Sequence, residues 1–302
     1  MPTSFQMNSY KGVSTALVTP FLENGDIDYD SFDRTLDFQI KSGIHGLVPC
    51  GTTGEGPTLS ESEKEKIVSL CVKKAQSRIP VIVGTGSNDT KKTIEASKKA
   101  QDLGANACLV VAPYYNKPTQ DGLLAHFSKV AESISIPMII YNIPGRSIVS
   151  VAPETLGKLS QHSNIIGLKD SSADMNYLTK VRREIKKDFV YLCGEDPTYW
   201  PFLANGGNGT ISVISNAIPR AVISILNSLK NSDMKTGLGL HEALSPISNG
   251  IFIETSPAPI KQVLEWMGLC KRYVRLPLVE LRRENLEKLK AIWNQLSVEI
   301  KA

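Results

Sequence analysis

Eight short apolar runs punctuate the chain at fairly even spacing. They are VSTALVTPF (13–21), GLVPCG (46–51), PVIVGTG (80–86), ACLVVAP (107–113), PMIIYNIP (137–144), NIIGLKD (164–170), FVYLCGE (189–195) and GTISVIS (209–215). Each is close to continuous in apolar residues rather than alternating, as expected of parallel strands covered on both faces. The spacers between them carry helix signals. Ser60 followed by Glu63 has the form of a capping box ahead of KIVSLCVKKA. Asp89 is placed to cap TKKTIEASKKAQDLG, which stops at Gly104, and Thr119 to cap DGLLAHFSKVAESI.

Eight strand–helix units match a (β/α)₈ TIM barrel. A doubly wound sheet is the rival, because alternation alone does not say whether the sheet closes. No GxGxxG follows the first strand, which counts against that rival. The segments IKQVLEWMG and LRRENLEKLKAIWNQLS exceed one closing helix. The expected division is a loose lead-in over 1–9, the barrel over 10–230 and a small C-terminal helical region over 231–302.

Composition narrows the function classes. The chain has 302 residues, 41% hydrophobic and 21% charged, with a net charge of +4. No block of like charges marks a nucleic-acid tail or a membrane-surface patch, so neither partner is expected, while small anionic substrates remain compatible. Five cysteines form no CxxC pair, and the four histidines make no ligand cluster with them, so reduced buried thiols and no metal are expected. The N-terminus lacks a basic-then-apolar leader and no apolar run approaches membrane-spanning length, which gives a cytoplasmic reading.

In such a barrel the loops after the C-terminal strand ends build the site. The runs end in Thr19-Pro20, Gly51-Thr52-Thr53-Gly54-Glu55, Pro113-Tyr114-Tyr115-Asn116, Tyr141-Asn142-Ile143-Pro144-Gly145-Arg146, Lys169-Asp170 and Gly194-Glu195-Asp196. Hydroxyls, phenols, an arginine and a lysine are thus expected at one mouth, with no call for a metal or a nucleotide. A lysine against an apolar interior is poorly solvated, which favours its neutral, nucleophilic form. That amine attacks a carbonyl carbon to give a carbinolamine and then a Schiff base, the chemistry of a cofactor-free class I aldolase. The alternative for Lys169 is a surface pair with Asp170. GTTGE reads either as a tight turn or as a carboxylate cradle of hydroxyls and free N–H groups. Tyr141 is either a core aromatic or a proton relay, and Arg146 either solvated or a bidentate carboxylate clamp. Tyr114-Tyr115 is also open to a packing role at a subunit contact.

GTTGE, PYYNKPTQDGL, YNIPGR, GLKDSS and GTISV stand in an order and at spacings that resemble the dihydrodipicolinate synthase family. The resemblance runs from GVSTALVTPF to VRLPLVEL. It implies a (β/α)₈ barrel with a C-terminal helical region, assembled as a homotetramer of tight dimers. It implies condensation of pyruvate with L-aspartate-4-semialdehyde, the first committed step toward diaminopimelate and lysine, without a cofactor. By resemblance Lys169 forms the Schiff base, Tyr141 relays protons, and Thr52 links Tyr141 to Tyr115, which the family donates across the tight-dimer interface. Thr53 is similar to the pyruvate-carboxylate contact and Arg146 to the semialdehyde-carboxylate clamp, while Gly194 and Ile211 match backbone positions lining the pocket.

The sister activities are N-acetylneuraminate lyase and keto-deoxy-sugar aldolases, and Arg146 with GTTGE favours the synthase over both. A catalytically silent barrel is opposed by the intact Lys169, Tyr141 and Arg146. A nicotinamide-linked reductase is opposed by the absence of a glycine-rich first turn. Many relatives are inhibited by lysine at a dimer-interface site. Here Ser60-Glu61-Ser62-Glu63-Lys64 and Lys92 stand at the matching positions, beside Tyr114 and Asn88. A lysine at 92 repels a ligand ammonium, so weak or absent lysine feedback is expected.

Overall fold

The computed structural model describes residues 5–185 and 187–301. Every apolar run contains a strand: β1 Gly12–Ala16, β2 Gly46–Val48, β3 Ile82–Gly84, β4 Ala107–Val111, β5 Met138–Asn142, β6 Ile165–Asp170, β7 Val190–Cys193 and β8 Gly209–Ser212. All pair in parallel, in the order β2-β1-β8-β7-β6-β5-β4-β3. A parallel bridge between Leu47 and Val81 joins β2 to β3 and completes the ring. The sheet is therefore a TIM barrel rather than an open doubly wound sheet.

The strands are shorter than the runs that announce them. The run 13–21 is in the ladder only as far as Ala16, and Phe21 instead pairs antiparallel with Ile27. The apolar residues past each strand end fold over the barrel rim and leave the ladder, which frees backbone for loops.

The three expected caps are all present. Ser60 Oγ accepts from Glu63 N while Glu63 returns a carboxylate to Ser60 N, opening the helix Glu61–Ala75. Asp89 accepts from Lys92 N at the helix Thr90–Asp102, and Thr119 from Gly122 N at Gln120–Ser133. Each cap satisfies an otherwise orphaned first-turn N–H, contributing about 1 kcal/mol.

Two apolar layers follow from the strand period of two. Ala16, Val48, Ile82, Leu109, Ile139, Tyr141, Val190, Leu192 and Ile211 point inward and pack together inside the barrel. Val13, Leu47, Val83, Val110, Ile140 and Leu168 point outward against the helices. Residues buried on this scale contribute about 1.5–3 kcal/mol each. Tyr10 belongs to the inner layer, and Phe5 and Met7 pack against it. Phe5 and Met7 fall in the stretch expected as a loose lead-in, whose first four residues lie outside the described residues.

After β8 the helix Pro219–Lys230 packs on β1, and the helix Met234–Gly250 packs on it in turn. The helices Ala258–Trp266, Arg283–Gln295 and Val298–Lys301 complete the C-terminal region. Among the described residues no helix is long and apolar enough to cross a membrane.

Candidate active site

Strand register brings the central pair together. In the β5–β6 ladder Tyr141 lies opposite Lys169, and in the β6–β7 ladder Lys169 lies opposite Leu192, so all three face the barrel interior. Lys169 and Tyr141 are each 6% exposed. The Lys169 Nζ sits 4.0 Å from the centroid of the Tyr141 ring, over its negative face.

Asp170, one residue on, points the other way. Its carboxylate accepts from Asn142 Nδ2 at 2.9 Å and from Ser172 Oγ at 2.7 Å. Burial raises its proton affinity above the usual carboxylate range, and the Ser172 and Asn142 hydrogen bonds oppose that. No ion pair joins it to Lys169 among the described residues. The alternative reading of Lys169 as a surface partner of Asp170 is thereby removed.

Ile211 is fully buried in the inner layer, and Gly194 is buried at the end of β7. A side chain at 194 has no room: a Cβ there would lie 2.0 Å from Ser171 Oγ and 2.8 Å from Lys169 Cε. Glycine at that position is what lets β7 close on the lysine.

The GTTGE loop is held from two sides. From the loop after β1, Thr19 Oγ1 donates to Gly54 O at 2.7 Å. From the C-terminal region, Lys261 Nζ donates to Glu55 Oε1 at 2.5 Å and Arg275 N donates to Glu55 Oε2 at 2.9 Å. Glu55 has a positive φ of 53°, a conformation that costs of order 1 kcal/mol for a residue with a side chain. Its fixed ion pair over-determines that conformation. Thr53 is buried and Thr52 half-buried within the loop.

The outer members are more loosely placed. Arg146, in the short helix Pro144–Ser147, is exposed, and its charge acts on Glu195 across the mouth. Tyr115 is 88% exposed with φ 74°. No hydrogen bond between described residues links Tyr141, Thr52 and Tyr115, so one chain by itself does not contain a closed hydroxyl chain.

Lys261 and Ser171 have no role in the sequence reading, and Glu195 stands there only as a strand-end residue at the mouth. Lys261 and its pairing with Glu55 carried no local signal, because the partners are 206 positions apart. Ser171 and Glu195 flank residues that were singled out, and the two-residue strand period from Lys169 would have aimed Ser171 inward. The cysteines are all free and buried, and burial pushes the Cys50 and Cys193 thiols up to about 12, far from nucleophilic. Among the described residues no group of His, Cys, Asp or Glu is arranged to hold a metal ion.

A closed barrel with an inward lysine at the C-terminal end of its sixth strand, free of any carboxylate ion pair and stacked on a phenol, defines an aldolase-type lyase of the amine-dependent class. The model of the dihydrodipicolinate synthetase family matches residues 9–296, and the chain belongs to that family. The 4-hydroxy-tetrahydrodipicolinate synthase of Bartonella bacilliformis is 46% identical over 93% of this chain and 96% of its own length. The crystal structure of the dihydrodipicolinate synthase from Aquifex aeolicus superposes with a TM-score of 0.93 at 38% identity, covering 97% of this chain and 100% of that one. That of the Acinetobacter baumannii enzyme, complexed with pyruvate, gives 0.91 at 35% identity over 94% of this chain and 97% of that one. These relatives support the synthase over the neuraminate lyase and the sugar aldolases.

Proposed function

We propose that this chain condenses pyruvate with L-aspartate-4-semialdehyde through a Schiff base on Lys169. The observation that carries the reading is the inward Lys169 amine, placed against Tyr141 with no carboxylate paired to it. The amine adds to the C2 carbonyl of pyruvate to give a carbinolamine, and loss of water gives the imine. The electron-withdrawing imine lets the adjacent methyl carbon lose a proton, and the resulting enamine attacks the aldehyde carbon. The pyruvate complex of the Acinetobacter baumannii relative supports the keto-acid half of this reading.

The remaining roles follow the family resemblance. Thr53 contacts the pyruvate carboxylate, Gly194 and Ile211 line the pocket, and Arg146 clamps the semialdehyde carboxylate bidentately at the entrance. Tyr141, Thr52 and Tyr115 form a proton relay. Tyr115 completes it from a neighbouring subunit, within a homotetramer built of tight dimers. Its exposure and positive φ support that role, since an ordered aromatic standing in solvent gains most from a partner surface. A cytoplasmic location and weak lysine feedback, from the exposed Lys92, belong to the same proposal.

Borohydride reduction with pyruvate, followed by peptide mass spectrometry, tests the chemistry. The expected adduct lies on Lys169, and an adduct elsewhere or none at all rejects the mechanism. A panel of aldehydes with pyruvate tests the second substrate. Turnover of a sugar aldehyde with aspartate semialdehyde inert would restore the sister reading.

A further inference from the structure

On its β5 side the Lys169 amine meets an aromatic face, and the Tyr141 hydroxyl makes no hydrogen bond with any described residue. The polar groups lie on the other side, between β6 and β7. Ser171 follows Lys169 by two residues. Its N–H donates to Asn142 O at 2.8 Å, so it continues the β5–β6 ladder and shares the inward face of Lys169. Its hydroxyl is fully buried and has no hydrogen-bond partner of good geometry among the described residues. A buried hydroxyl left in that state costs about 1–3 kcal/mol, so its presence calls for an explanation.

The hydroxyl and the lysine converge on one place. The point that a Cβ on Gly194 would occupy lies 2.0 Å from Ser171 Oγ and 2.8 Å from Lys169 Cε. The next residue is Glu195, half-buried at the same strand end. Burial raises its proton affinity, the Lys169 charge is the largest opposing influence, and Asp196 acts with burial. Ser171 and Arg146 then oppose burial more weakly. Asp196 itself is committed elsewhere: its Oδ2 accepts from Val213 N at 2.8 Å and Ile214 N at 2.9 Å. The Glu195 carboxylate has no such backbone N–H bonds among the described residues, and the Ser171 hydroxyl is the side-chain donor that acts on it.

The geometry points to Ser171 and Glu195 as a second relay, which takes from the Lys169 ammonium the proton it must lose before attacking the keto acid. One ammonium N–H bond breaks as an O–H bond forms at Ser171, and the original Ser171 proton passes to the Glu195 carboxylate. The products are a neutral amine and a neutral carboxylic acid, so charge balances. Once the carbinolamine has formed, the same path runs in reverse. Glu195 returns its proton through Ser171 to the departing hydroxyl, water leaves, and a carboxylate again faces the cationic imine. A carboxyl whose proton affinity is raised by burial is better matched to both steps than an ordinary one.

This inference rests on the Schiff-base reading of Lys169, and one experiment separates the two. Imine formation with pyruvate is followed by rapid quenching into borohydride and mass spectrometry, across pH, for wild type, Ser171→Ala, Ser171→Thr and Glu195→Gln. Ser171→Ala removes a single oxygen, and circular dichroism checks that each variant is folded. The expected result is imine formation about 100-fold slower in Ser171→Ala and Glu195→Gln, near-wild-type rates in Ser171→Thr, and loss of the acidic limb of the pH profile in Glu195→Gln. Wild-type rates and an unchanged acidic limb in Ser171→Ala and Glu195→Gln would overturn the relay. Absence of any Lys169 adduct in wild type would overturn the Schiff-base reading instead, and the relay with it.

Discussion

Lys169 and Lys261 have both been taken out of water, and each lies over an aromatic ring. The Lys169 Nζ is 4.0 Å from the Tyr141 centroid and the Lys261 Nζ is 4.1 Å from that of Phe21. What separates them is the rest of the shell. Lys261 donates to Glu55 at 2.5 Å and to Tyr273 O at 2.7 Å, and both side chains of that ion pair are 0% exposed. Burial pulls Lys261 below the usual lysine range, with Glu55 opposing. Lys169 has no carboxylate ion pair and no hydrogen-bond acceptor among the described residues. Burial and an aromatic neighbour therefore do not distinguish a reactive lysine from a strut. The unfilled partner shell does.

The sharpest break of the comparison is to remove each amine. Lys169→Met is expected to lower turnover by about 10⁴-fold or more and to abolish reductive trapping, since the nucleophile itself is gone. Its thermal midpoint is expected to fall only slightly, because Lys169 is ion-paired to no carboxylate among the described residues and what is lost is the cation that most opposes the burial of Glu195. Wild-type turnover in this variant would end the contrast outright.

Lys261→Met is expected to do the reverse, costing stability first. It leaves Glu55 as an unpaired charge in a site from which water is excluded, a change that costs about 3–5 kcal/mol. The second change Glu55→Gln removes the stranded charge, and the double variant should recover most of the loss. Denaturant midpoints of the two singles and the double measure the coupling. Additive losses would show that the pair does not hold the GTTGE loop as a unit.

A smaller effect is expected where the shell of Lys169 reaches outward. Tyr115→Phe should lower turnover by about 100-fold and leave the melting curve in place, because the hydroxyl is exposed in the single chain and its loss strands no buried group. Trapping of pyruvate on Lys169 should survive, since the nucleophile is untouched. Turnover equal to wild type would remove Tyr115 from the proton path.

The contrast between the two lysines also sets what the sequence could show. Apolar runs and caps are local, so eight strands, their order and the helices Glu61–Ala75, Thr90–Asp102 and Gln120–Ser133 could be read from it. Lys169 was legible for the same reason, as a charge at the end of an apolar run. Lys261 was not, because it sits in IKQVLEWMG at a position that reads equally well as a solvated helix face, and the carboxylate that buries it is contributed by a loop at the other end of the chain. The direction of Asp170 was ambiguous until register placed Lys169 opposite Tyr141 and Asp170 opposite Asn142. The role of Ser171 depends on the missing side chain of Gly194, a close approach between two strands that no single-strand pattern encodes.

The mildest prediction concerns the rim of the Lys261 cluster, where water begins to compete. Arg275 also lies over the Phe21 ring, 4.5 Å from its centroid, and grips Glu63 with two nitrogens, at 2.5 Å and 2.9 Å. The Arg275 hydrogen bond holds the Glu63 carboxyl down at about 2, from an ordinary 4.5, with the Ser60 bonds adding to it against burial. A carboxyl depressed in the folded state contributes stability that is fully present above about pH 4.5 and is lost as pH falls toward 2. Both side chains are about one-fifth exposed, so screening limits the contribution to about 1 kcal/mol. Glu63→Gln should therefore cost about 1 kcal/mol at pH 6, and the cost should vanish as pH falls below about 2. At pH 6 that deficit should shrink in 1 M salt, because exposed charges are screened there within about 3 Å. The Lys261→Met deficit should not shrink, because its charge lies where salt does not reach. If salt erased both deficits alike, the Glu55–Lys261 pair would be a solvated contact, and Lys261 would no longer serve as the buried counterpart to Lys169.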